Sequence, residues 1–90
     1  YITNIVEAFS HLEYKTDQVN QYNIDLYFPE YKLAIECDEL GHTDRSSEYE
    51  IERESYIKNK LNCEFIRFNP DIKDFNIFNI INIIMKFIMK

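Results

Sequence analysis

Apolar residues recur at two different periods along this chain, and the changes of period divide it into elements. Ile2, Ile5, Val6, Phe9 and Leu12 fall at helical spacing, which predicts an amphipathic helix over residues 2–12, with Thr3 placed to cap its start. From Glu13 to Val19 polar and apolar residues mix as in an edge strand, and Asn20-Gln21 then reads as a tight turn. Residues 22–28 alternate strictly, with Ile24, Leu26 and Phe28 on one face. Residues 32–38 alternate as well, with Leu33, Ile35 and Cys37 on one face, and Pro29-Glu30-Tyr31 joins the two strands as a hairpin. Gly41 marks a break after them.

The period returns to helical further on. Ser47 followed by Glu50 forms a capping-box pattern ahead of a helix from about Glu48 to Leu61. Cys63 to Phe68 reads as a short fourth strand, stopped by Asn69-Pro70, and Asp74 to Met89 as a last helix whose Ile and Phe residues cover more than one face. The order helix, three strands, helix, strand, helix predicts one α/β domain built on a mixed four-stranded sheet flanked by helices.

The hairpin has one register whichever loop it uses. A two-residue loop at Glu30-Tyr31 pairs Pro29 with Lys32, and a four-residue loop pairs Phe28 with Leu33; both continue identically along the strands. Leu26 then faces Ile35 and Ile24 faces Cys37. On the other side of the sheet Asp25 faces Glu36, with Asp38 two residues on and opposite Asn23. Opposed like charges weaken a sheet. The commonest reason to place them so is a divalent cation, which Mg²⁺-binding sites hold with one or two carboxylates plus water. A solvated acidic face is the plainer alternative, and Tyr27 and Ala34 on the same face argue for partial cover.

Composition limits the partners. The chain of 90 residues has 10 Lys and Arg against 16 Asp and Glu, a net charge of −6, which disfavours sequence-blind phosphate binding unless cations offset the acids. Cys37 and Cys63 are too few for a disulfide framework and fit a reducing, intracellular setting. The apolar run from Ile77 to Met89 is shorter than a membrane span. The chain opens on Tyr1 rather than Met, so a longer parent protein is expected.

The block from Tyr22 to His42, with Asp25, Glu36-Cys37-Asp38 and His42, resembles the active-site region of restriction-endonuclease-like PD-(D/E)XK nucleases. It is most similar to the branch of very-short-patch-repair endonucleases, in which E-x-D followed by His replaces E-x-K. Arg53 and the segment Phe65-Ile66-Arg67-Phe68 look similar too. Such domains also occur appended to antirepressor-type proteins of phages and large DNA viruses. The resemblance implies a nuclease core that hydrolyses DNA phosphodiesters with Mg²⁺ or Mn²⁺. Asp25 would be the central metal ligand, Glu36 the second carboxylate, and Asp38 a further ligand. His42 and Asp38 would orient water or act as general base. No lysine stands in the E-x-K position, so an inactive module for nucleic-acid or protein interaction is the alternative.

Other residues carry two readings each. Gln18 pairs with Asn23 if Asn20-Gln21 is a two-residue turn, which places it either at the site or on an exposed edge. Glu7 either reaches the site from the first helix or is a solvated helix charge. Arg53 either pairs with Glu50 on its own helix or points into the cleft toward nucleic acid, and Arg67 either contacts phosphate or partners an acid. Glu48, Glu50, Glu52 and Glu54 read as a solvated face favoured by the helix dipole. Cys37 is expected in the core. The apolar 75–89 helix is expected to bury part of its surface against a second copy or a fused DNA-binding module.

Overall fold

The computed structural model describes residues 1–20, 22–38 and 47–90, with the side chains of Asp17 and Ser47 excepted. Its elements are α1 (Ile2–Ala8), β1 (Lys15–Val19), β2 (Tyr22–Phe28), β3 (Leu33–Cys37), α2 (Ser47–Leu61), β4 (Glu64–Phe68) and α3 (Ile77–Ile88). The strands form one sheet in the order β1-β2-β3-β4, antiparallel except for the β3–β4 pair. The expected mixed four-stranded α/β architecture is therefore present. The expected break at Gly41 and His42 itself lie outside the described residues, as does any cap made by the Ser47 side chain.

The hairpin keeps the expected register, with Leu26 opposite Ile35, Tyr27 opposite Ala34 and Phe28 opposite Leu33. Tyr31 N–H donates to Phe28 C=O at 3.2 Å and Lys32 N–H to Pro29 C=O at 3.3 Å, so two overlapping turns close the loop. Lys32 takes φ of 49° to complete it, and Asn20 at φ of 58° does the same between β1 and β2. Gln18 faces Asn23 as expected, although an irregularity between Thr16 and Gln18 shifts the earlier pairs.

Helix ends differ from the periodicity. α1 stops at Ala8, because Phe9 leaves the helical region and Leu12 N–H returns to Phe9 C=O at 2.9 Å. Thr3 sits inside the helix, and the N-cap position falls to Tyr1 without a side-chain bond. α3 starts at Ile77, where the Asn76 side chain accepts from Phe78 N–H at 2.9 Å. Asp74, expected to open that helix, instead adopts φ of 61°.

Two apolar layers sandwich the sheet. Ile5 of α1, Phe9 just after it, Ile84 of α3 and the strand residues Leu26, Phe28, Leu33, Ile35, Cys37 and Phe68 form one of them. Val19, Ile24, Tyr27, Ala34, Ile57 and Cys63 form the other under α2. Cys37 is in the core as expected. Ile24 is not on the expected side: it packs with the α2 layer rather than with Leu26 and Phe28. The reason is that the outer end of β2 turns toward α2, where Tyr22 meets Tyr56 edge to face at 5.5 Å. β3 is buried along its whole length. Truncating Ile35 to Ala on this strand is expected to cost about 2–5 kcal/mol, measurable as a lower urea midpoint with an unchanged slope.

Candidate functional site

β3 turns its side chains alternately to the two layers, so Ala34 and Glu36 both face α2. Glu36 is 4% exposed, the one charged residue fully buried among those described. Arg53 Nη2 of α2 lies 2.9 Å from Glu36 Oε1, yet that oxygen has no aligned hydrogen bond. The same guanidinium donates to the Asn23 carbonyl of β2. It also lies 3.9 Å from Glu50, so both expected readings of Arg53, helix-surface pair and cleft residue, describe one side chain.

Asp25 reaches the same neighbourhood from β2. Asp38 N–H donates to Phe68 C=O at 2.8 Å, so strand alternation turns the Cys37 N–H toward β2. Asp25 Oδ2 accepts that N–H at 2.8 Å, standing in for a main-chain carbonyl. The recorded β2–β3 ladder accordingly ends at Leu26 and Ile35, and Asp25 and Glu36 flank the point where the strands part. The expected Asp25–Glu36, Ile24–Cys37 and Asn23–Asp38 pairs are not among the recorded partners.

Asp38 is drawn elsewhere. Its Oδ1 accepts from Arg67 Nη1 at 2.9 Å, and Arg67 Nε donates to Glu54 Oε1 at 2.6 Å. Arg67 Nη2 lies 3.7 Å from Glu50 Oε2. Arg67 thus partners acids, one of its two expected readings, and joins β4 to β3 and α2. Among the described residues no group of three or more His, Cys, Asp and Glu side chains stands close enough to hold a metal ion. The expected triad is therefore split into an Asp25–Glu36 pair and an Asp38–Arg67 pair. Glu7 is exposed on α1, which packs on the opposite layer. Gln18 is exposed on β1 beside Asn23.

Glu50 and Glu54 were expected on a solvated face, but both are part-buried in the arginine network, at 24% and 27% side-chain exposure. The signal was in the spacing. Glu50, Arg53, Glu54, Ile57 and Leu61 share the helix face whose apolar members pack on the sheet. Glu48 and Glu52 keep their solvated or half-solvated positions.

Burial raises the Glu36 carboxyl above its usual range, the Arg53 guanidinium offsets part of the rise, and Asp25 adds to it. Opposing effects act on Arg67, where burial lowers its affinity for the proton but Glu54 and Asp38 outweigh it.

A lone hard cation could be accommodated by Asp25 and Glu36, since Mg²⁺ takes one or two carboxylates and completes its shell with water. Such an ion would meet Glu36 Oε1, which already lies 2.9 Å from Arg53 Nη2.

No family model matches the chain, and comparison with curated proteins and with solved structures likewise returns no match.

The raised Glu36 carboxyl has a signed consequence. Between the ordinary carboxylate value and the raised one, the folded protein binds more protons than the unfolded chain, so metal-free stability falls as pH rises through that window. Glu36→Gln is expected to remove this slope and to unfold at higher temperature than the wild type at neutral pH. Thermal melts in chelator across the acid-to-neutral range check it.

Proposed function

We propose that this domain is a metal-dependent DNA endonuclease of the restriction-endonuclease-like kind, with Asp25 and Glu36 as its metal-holding pair. The observation that carries the reading is Glu36 itself: a carboxylate buried on an inner strand, beside a second carboxylate, with its proton affinity raised by that burial. Perturbed acids in such settings concentrate at functional sites. A divalent cation bound there would activate a water and offset charge growing on the phosphate.

The chain's own residues have separate tasks in this reading. Asp25, anchored by the Cys37 N–H, holds its carboxylate at the parting of the strands. Arg53 neutralises the pair before a cation arrives and is the nearest guanidinium for a substrate phosphate. Asp38, two residues beyond Glu36 and drawn to Arg67, is the candidate to orient water, with His42 as its expected companion. DNA is the partner this reading requires. The 75–89 region offers a place for a second copy or a fused DNA-binding module, through the exposed Phe78 and Met85 of α3 and Met89 just after it.

One observation favours the alternative, an inactive nuclease-fold module. Arg53 already supplies Glu36 with a counter-ion at 2.9 Å, which is what a protein without a metal would need.

Cleavage of plasmid and single-stranded DNA with Mg²⁺ or Mn²⁺ separates the two. The nuclease reading expects cleavage that falls about 100-fold or more in Asp25→Asn and Glu36→Gln. It also expects Mn²⁺ to raise the melting temperature of the wild type and not of Glu36→Gln. No cleavage together with no metal-dependent stabilisation would leave only the inactive module. For the α3 surface, a self-association seen by sedimentation should be lost in Met85→Glu.

A further inference from the structure

Arg53 and a cation at the acidic pair have a claim on the same atom. Arg53 Nη2 lies 2.9 Å from Glu36 Oε1, and the two side chains are only 17% and 5% exposed. Asp25 Oδ2 is taken by the Cys37 N–H at 2.8 Å, so Glu36 is the acid of the pair that the guanidinium holds. Two carboxylates and one guanidinium leave a single negative charge to attract a divalent ion. With an ion added, three positive charges would face two negative ones where little water reaches to screen them. Guanidinium and ion therefore compete for Glu36.

A second acid stands within reach of the same guanidinium. Glu50 lies one turn before Arg53 on α2, with its Oε2 3.9 Å from Arg53 Nη1. Closing that gap to an ordinary hydrogen-bond length takes a shift of about 1 Å. The same oxygen is 3.7 Å from Arg67 Nη2, but Arg67 has its hydrogen bonds to Glu54 and Asp38 at 2.6 and 2.9 Å. Arg53 also donates to the Asn23 carbonyl, a contact that does not depend on Glu36. The side chain thus has an inner acid, an outer acid on its own helix and a neutral anchor between strand and helix.

We propose that Arg53 is a built-in competitor of the metal: it occupies Glu36 in the ion-free protein and passes to Glu50 when a divalent cation takes the Asp25–Glu36 pair. A carboxylate as buried as Glu36 needs a positive partner at all times, and the exchange supplies one in either state. The contact holds the affinity of the pair for a cation below what its two acids alone would give. It also ties cation binding to the release of a guanidinium beside the site. The inference rests on the nuclease reading for the ion, and it adds the regulation of that same site.

Binding is read with Mn²⁺ alone and no DNA, from the loss of the free-ion paramagnetic resonance signal. Wild type, Arg53→Gln, Glu50→Gln and the double variant are compared. Arg53→Gln is expected to bind Mn²⁺ about tenfold tighter than wild type, or more. Glu50→Gln removes the alternative partner and should weaken binding about threefold, whereas the same substitution should change little in the Arg53→Gln background. A purely structural role for Arg53 would not produce that coupling. Unchanged or weaker Mn²⁺ binding in Arg53→Gln, or an equal effect of Glu50→Gln in both backgrounds, would overturn the exchange. Arg53→Met keeps the packing of the side-chain stem and replaces Arg53→Gln if circular dichroism shows that variant unfolded. Loss of fold in both would make Arg53 a fixed structural partner of Glu36 and overturn the exchange as well. Tighter Mn²⁺ binding by Arg53→Gln, with no cleavage of plasmid DNA by the wild type, supports this inference and removes the nuclease reading. Equal binding by both proteins, with cleavage by the wild type, removes this inference alone. No Mn²⁺ on either protein removes both.

Discussion

A carboxylate buried on an inner strand is the constraint around which one side of this molecule is arranged. Glu36 lies on β3, whose two neighbours in the sheet leave it no open edge, and α2 covers the face to which it points. An ionised acid cannot sit there alone, because losing its water costs more than any nearby apolar contact returns. Arg53 answers the charge from above, and Asp25 is kept close by the Cys37 N–H rather than by attraction. α2 must therefore cross the sheet at the level of Glu36, and β3 and β2 must part where Asp25 takes over a main-chain partner.

The two layers of the domain are stabilised in different ways. Under α1 and α3 the contacts are almost wholly apolar, with Phe9 on Phe28 and Phe68 on Phe75 as ring pairs. Under α2 an apolar patch around Ile57 gives way to the network of Arg53, Arg67, Glu36, Asp38, Glu50 and Glu54. Part-buried ionic networks add less stability than packed hydrocarbon, but they place charged groups in defined positions. The chemistry proposed for the domain sits on this second layer.

These features bear on each other. An acidic domain that acts on a polyanion must carry its cations where the substrate meets the acids. Arg53, in contact with Glu36, and Arg67, in contact with Asp38, are the guanidiniums that stand among those acids.

Period and turn chemistry determined the element order and the hairpin register from Leu26–Ile35 to Phe28–Leu33, since each depends on residues near one another in the chain. Helix ends were misread where local bonds competed with the pattern, as at Phe9 and Asn76. The partners of each charge were not legible. Arg67 is 29 residues from Asp38 and 13 from Glu54, and only the parallel pairing of β4 with β3 under α2 brings them within a hydrogen bond. The separation of Asp38 from the Asp25–Glu36 pair, the turning of Ile24 into the α2 layer and the burial of Glu50 and Glu54 have the same origin. The sequence by itself determined the order of the elements and the register beside the hairpin turn, because both follow from local backbone period and turn chemistry. Only the tertiary structure decided which charges meet, because that depends on how helix and strands from distant parts of the chain are laid against one another.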